Sequence, residues 1–382
     1  MSELVLSAWS VVSPYGVGSA PFSAGIGAGT SAVGELDRAA WPGPFDRCGL
    51  VPDFTAAEYV GKKGTRTMDR VTAIAVTAVG RLLASCGDEL TAHPEQIGLV
   101  LGTGSGSVQS IMDFTRDSLV GERPYHVDPA RFPNTVMNRA AGQSAIWHGI
   151  KGPNTTVAGG WLTGLLALSY AVRLHRGGHC ARVLCGAAEE YSTQRAWLEW
   201  HGRGVEERES PLGEGGAVFL METVADAREA GRTPLARVLA TRFRAYADRA
   251  DAQKTLAECV GSALDKAGVT PEDIRLVAPL GAGAELAAPE EAGIEDALGT
   301  ARPQWIRCRP LLGDTSAAST SLQLAAVLAT AGESGLGPGE AALVTGIDRD
   351  GTVGCAVLGG PARPCARGCA GGPPPPPAPH LS

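Results

Sequence analysis

The sequence predicts an α/β protein assembled from parallel βαβ units in two similarly ordered halves, and three observations predict it. Short apolar runs alternate with longer helical segments along the chain, and strands separated by helices of that length pair in parallel and pack in layers. Hydrophobic residues make up 44% of the 382 positions, enough for a large core. A polar, helix-like stretch over 224–233 divides the chain, and each side of it carries strands and helices in a similar order.

Taken in order, the strands are expected at 3–12 (ELVLSAWSVV), 97–104, 154–160, 181–189, 216–224, 234–243, 274–281, 341–348 and 353–360. Each is a short apolar run rich in Val, Leu and Ile and bounded by Gly, Pro or polar residues, as buried strands are. Helices are expected between them at 66–86, 132–148, 162–176, 252–268 and 316–331, with another starting near Val108 after a Gly-rich turn. The domain reading is a first half over 1–228, a second over 229–359 and a tail over 360–382. That tail, GGPARPCARGCAGGPPPPPAPHLS, has no face that could join a core and is expected to be disordered.

Composition excludes several functions. A formal net charge of −7 with no basic run argues against nucleic acid and against a membrane surface. No apolar stretch reaches the roughly 18 residues that span a bilayer. The start, MSELVLSAWSVVSPYG, lacks a basic flank and a cleavage site. Several of the nine cysteines, Cys185 and Cys355 among them, lie in apolar contexts that indicate reduced, buried thiols. The expectation is a cytoplasmic protein.

No metal or other cofactor is expected. Gly102-Thr103-Gly104-Ser105-Gly106 between strand and helix invites a dinucleotide or phosphate reading, but it lacks the complete G-x-G-x-x-G and the P-loop lysine, so a tight turn is the better account. His175 and His179 beside Cys180 fit a helix C-terminus better than a metal. His148 reads as a packing histidine, and Cys365 and Cys369 have no further ligands near them. No G-x-S-x-G is present, which weakens a hydrolase reading.

Four segments in matching order resemble the β-ketoacyl synthase family: GLVLGTGSGSVQSIM, the long run from Phe132 to Gly178, SPLGEGGAVFLME and RPLLGDTSAASTSLQLAAVLA. The likeness extends from the N-terminus to about residue 358. It implies the thiolase-like fold, in which two similar halves stack as five layers, α-β-α-β-α.

The resemblance also locates what is missing. A ketosynthase needs a thiolate at a helix N-terminus, where the dipole lowers its pKa, and two imidazoles that act with it. On the family pattern Trp161 takes the cysteine position, Leu280 the first histidine and Asp314 the second. Arg309 matches a family lysine, and Gly346-Ile347-Asp348-Arg349-Asp350-Gly351 replaces a Gly-Phe-Gly-Gly turn. The family's member with such losses is the chain-length factor, the KS-β subunit of a type II polyketide synthase. Those of aromatic pathways usually carry glutamine where Trp161 stands, so no decarboxylation is assigned here.

Three functions are therefore weighed. The favoured one is a non-catalytic partner that forms a heterodimer with an active ketosynthase and shapes the acyl tunnel, meeting the acyl carrier protein only through that complex. The others are a condensing or acyl-transfer enzyme with relocated residues, and a carrier-protein docking module. In the family the helix after the Gly-rich turn lines the tunnel, which here gives Val108, Ile111 and Thr115, spaced i, i+3, i+7 on one face. Core packing is the plain alternative for that face.

Overall fold

The computed structural model describes residues 3–332 and 335–361. The expected run 360–382 therefore lies, from residue 362 onward, outside the described residues, and Cys365 and Cys369 lie there too.

Ten principal strands are β1 Leu4–Ser13, β2 Ile97–Gly102, β3 Asn154–Val157, β4 Arg182–Glu189, β5 Gly215–Thr223, β6 Ala236–Ala245, β7 Ile274–Ala278, β8 Gln304–Trp305, β9 Ala341–Asp348 and β10 Thr352–Gly359. The principal helices are α1 Ser19–Ala28, α2 Arg70–Cys86, α3 Val108–Val120, α4 Arg139–His148, α5 Thr163–Arg176, α6 Thr193–Gly202, α7 Ala252–Ala267, α8 Gly283–Leu298 and α9 Ser319–Ala331. The strands run side by side in the order β8-β7-β9-β10-β6-β1-β5-β4-β2-β3, with Gly16–Val17 hairpinned onto β1. The two halves repeat one pattern. In the first, β3, β2 and β4 are parallel and β5 and β1 follow antiparallel. In the second, β8, β7 and β9 are parallel and β10 and β6 follow antiparallel. Within the sheet the halves join along β1 and β6 through the pairs Val5↔Arg237 and Leu6↔Ala236.

Alternation along each strand sorts its side chains into two of three cores. On β2, Leu99 and Leu101 pack outward against α2 and α4, while Val100 packs inward against α5. On β9, Leu343 and Ile347 face α7 and α8, while Ala342 and Val344 face α9. The layers are thus α2/α4, sheet, α1/α5/α9, sheet and α7/α8, which is the five-layer thiolase-like arrangement that the resemblance implies.

Each expected strand is present, and the differences have local causes. The helix expected from 66 begins at Arg70, where the Asp69 side chain accepts from Thr72 N and caps it. The helix expected from 132 begins at Arg139, because 129–135 coils as a 3-10 turn containing Pro129 and Pro133, which lack the donor an α-helix needs. Helices α1, α6 and α8 and the two-residue β8 are additional, and α8 tolerates Pro289 in its interior.

In the central layer α5 and α9 approach so closely that a Cβ on Gly164 would stand 2.4 Å from Ser321 N. Gly164→Val is expected to cost about 1–3 kcal/mol through overpacking. Gly261→Ala, on α7 with nothing within 4 Å of the added carbon, is expected to stabilise by about 0.5–1 kcal/mol. Urea denaturation of the two variants checks both signs.

Candidate functional site

Parallel strands β3, β7 and β8 end on the side where open α/β sheets place their sites. The segment after β3 turns through Gly159 and Gly160 into the 3-10 turn Gly160–Leu162 that opens α5. Gly160 has φ +55, and a Cβ there would lie 2.1 Å from Asp348 Oδ2, so glycine is required. The close approach lets Asp348 accept from Trp161 N at 2.6 Å. Thr320 Oγ1 donates to Trp161 O at 3.2 Å, tying the turn to α9.

Trp161 is 5% exposed. Its Nε1 donates to Asp314 Oδ1 at 3.1 Å, which brings the cysteine-position and second-histidine-position residues into direct contact. The guanidiniums of Arg309 and Arg349 stand 5.5 Å and 5.2 Å from the indole ring centre, a cation–π arrangement strengthened by burial. Asp314 also receives Arg203 Nη2 at 2.5 Å, Arg309 Nη2 at 3.0 Å and Ser316 N at 2.8 Å. Burial alone would raise the Asp314 carboxyl, but Arg309, Arg203 and Arg195 hold it far below the usual carboxylate range. It is an ionised acceptor with no proton to give.

Leu280 is buried in the same apolar cluster as Trp161. Its backbone is fixed by Glu290, which accepts from Leu280 N at 2.9 Å and Gly281 N at 2.8 Å. A void of about 10 Å³ separates Leu280 from Arg309 and Gln323, and an open cavity of about 390 Å³ lies outside it, lined by Gly281, Arg307, Cys308 and Pro310 among others. No histidine lines either space. Cys308 is the thiol there, and burial pushes it up to about 12, so it is neutral near pH 7 and a poor nucleophile.

Trp161, Leu280 and Asp314, the residues that the family pattern aligns with its cysteine and two histidines, are therefore together, and the ionic frame around them was not expected from sequence. Arg203, Arg195, Glu290 and Asp348 belong to it; Asp348 sits in the altered 346–351 turn, while no local signal marks Arg203 or Glu290. Val108, Ile111 and Thr115 stand apart on α3, respectively buried, half-buried and exposed. The surface carrying α3, the 129–135 turn and α4 leaves Met112 (54%), Leu119 (79%), Phe132 (57%) and Ile146 (77%) open. Strand β3 is the last in the sheet, with a free edge. Among the described residues no group of His, Cys, Asp and Glu could hold a metal, and no helix is long and apolar enough to cross a membrane.

The family model for the beta-ketoacyl synthase N-terminal domain matches residues 1–227. The chain belongs to the beta-ketoacyl synthase family. A putative polyketide beta-ketoacyl synthase 2 of Streptomyces coelicolor is 31% identical over 77% of this chain and 74% of that protein. The 3-oxoacyl-[acyl-carrier-protein] synthase 2 of Vibrio harveyi is 32% identical, over 38% of this chain and 35% of that synthase. Among solved structures, the ishigamide ketosynthase/chain length factor is similar at 40% identity and a TM-score of 0.84, over 93% of this chain and 99% of that one. A beta-ketoacyl synthase from Burkholderia phymatum has the same fold at 19% identity and a TM-score of 0.81, over 94% and 99%. These likenesses agree with a beta-ketoacyl synthase of the polyketide, chain-length-factor kind.

The frame predicts its own energetics. Asp314→Asn leaves Arg203 and Arg309 facing a neutral amide and is expected to cost about 3–5 kcal/mol at pH 7. Trp161→Phe removes one of four donors and is expected to cost about 1 kcal/mol. Because the Asp314 carboxyl is depressed in the folded state, its contribution is complete above about pH 4 and is lost as pH falls toward its folded value. Urea denaturation across that range should show the wild-type advantage over Asp314→Asn narrowing as the solution is acidified.

Proposed function

We propose that this synthase-fold chain is a non-catalytic chain-length factor that pairs with an active ketosynthase in the cytoplasm and shapes the tunnel receiving the growing polyketide. The observation that carries the reading is the buried Trp161 at the nucleophile position, bonded through Nε1 to Asp314. An indole neither attacks a thioester nor holds an acyl group, and an ionised Asp314 cannot replace an imidazole. The neutral, buried Cys308 weighs against a relocated nucleophile.

Two surface features support pairing. Monomers rarely leave Met112, Leu119, Phe132 and Ile146 open on adjoining elements, and an unpaired edge such as β3 is a template for another strand. The similar ishigamide protein is itself a ketosynthase/chain length factor. The acyl carrier protein is assigned to the complex rather than to this chain alone. Val108, Ile111 and Thr115 are proposed as tunnel residues, because α3 lies on this same open surface.

Purified alone and incubated with acyl and malonyl carrier proteins, the chain should carry no acyl adduct by mass spectrometry, and Trp161→Cys should not condense because both imidazoles remain absent. A stable adduct on the wild-type chain would refute the reading. The chain should self-associate or precipitate in sedimentation experiments and co-purify with an intact Cys-His-His ketosynthase from the same genome; a well-behaved monomer contradicts obligate pairing. In the reconstituted complex, Val108→Phe or Thr115→Phe should shorten the product while sparing the first condensations. A steric stop acts only when the chain reaches it, whereas a uniform loss of all products rejects the tunnel assignment.

A further inference from the structure

Helix α3 has thirteen residues, yet Val108 is the one side chain it buries. Met112 is 54% and Leu119 79% exposed, so apolar packing within this chain contributes little to where the helix stands. Its far end is held by exposed contacts: Arg131 with Asp117 at 3.2 Å, and the rings of Phe114 and Phe132 at 6.1 Å. Exposed ion pairs of this kind fix little.

The near end is different. Strand β4 runs directly into Glu189 and Glu190, both buried. Glu190 Oε1 accepts from Ser107 Oγ at 3.1 Å and from Gln109 N at 3.5 Å, and its Oε2 accepts from Val71 N at 3.2 Å. Ser107 is the N-cap of α3, accepting from Ser110 N at 3.2 Å, and Val71 lies in the first turn of α2. One carboxyl group therefore joins the N-termini of two helices. Helix α2 is embedded in the outer core along nearly its whole length, so it serves as the fixed reference. Glu189 adds to the anchorage by accepting from Gly104 N at 3.1 Å, in the turn that leads into α3. Burial, with Asp69 and Glu189 nearby, pushes Glu190 up to about 8, so near pH 7 it is largely a neutral carboxyl group whose role is to accept from the two helix starts.

We propose that Glu190 is a positioning residue for chain length: its carboxyl locks the first turn of α3 to that of α2 and thereby sets where Val108, Ile111 and Thr115 stand in the tunnel wall. The proposal rests on the tunnel reading above, but its mechanical part is separable. A side chain that merely filled space would affect stability and yield, whereas a side chain that aims α3 affects which product lengths form.

The test uses the full chain in complex with its ketosynthase, comparing Glu190→Gln, Glu190→Ala and Val108→Phe by hydrogen exchange and by product profile. Glu190→Gln keeps the shape but offers one acceptor oxygen to two helix starts, so it should loosen one link and shift both readouts in the same direction as Glu190→Ala, by less. Glu190→Ala should speed exchange of the 108–112 amides by about fivefold, the effect of losing a cap, while α9 amides are unchanged. It should also change the ratio of long to short products without a matching loss of total condensation. Unaltered exchange over 108–112 overturns the anchoring, and faster exchange with an unaltered length ratio overturns the positioning role. If Val108→Phe leaves product length unchanged, the tunnel reading has failed and exchange alone decides the anchoring. Should Glu190→Ala fail to fold, Glu190→Gln decides both outcomes, since it leaves the Ser107 cap of α3 in place.

Discussion

The hydrogen bond from Trp161 Nε1 to Asp314 is the contact on which the rest of the site depends. Its acceptor is a buried ionised carboxylate, stabilised by Arg203 and Arg309 on the other oxygen together with Ser316 N and the nearby Arg195. Those guanidiniums need further partners in turn. Arg203 reaches Glu199 at 3.1 Å, and Arg309 lies against the indole itself. Each of these ions has an oppositely charged or aromatic neighbour, two cations stand over the indole ring, and Arg309 Nη1 is buried without a hydrogen-bond partner.

The fold around this network supplies fixed points rather than chemistry. Glu290 holds the Leu280 loop by two amides, Asp348 holds the Trp161 turn, and Glu190 joins α2 to α3. All are buried carboxyl groups that accept from backbone donors in turns or at helix starts, which would otherwise lack partners.

Much of this was legible from the chain. The sheet strands announce themselves as short Val- and Leu-rich runs, and Trp161, Leu280 and Asp314 follow from aligning motifs against a known pattern. That these positions meet was implied by resemblance; that Trp161 and Asp314 bond directly was not, because it depends on a rotamer chosen in three dimensions. Arg203 and Glu290 escaped notice for a related reason: a buried charge looks like a surface charge until the fold encloses it. The helix expected from 132 failed on a nearer signal, since Pro129 and Pro133 mark the 3-10 turn that replaces its first part.

The sheet order also constrains how the protein comes into being. Strand β1 lies between β5 and β6, and Leu4 pairs with Thr223. At about 5–20 residues per second, synthesis leaves that first strand without its neighbour for roughly 10–40 s. During this interval an apolar, unpaired N-terminal segment is available to any passing chain. Nascent-chain protection by a chaperone, or prompt pairing with another polypeptide, is thus a need set by topology rather than by any step the finished protein performs.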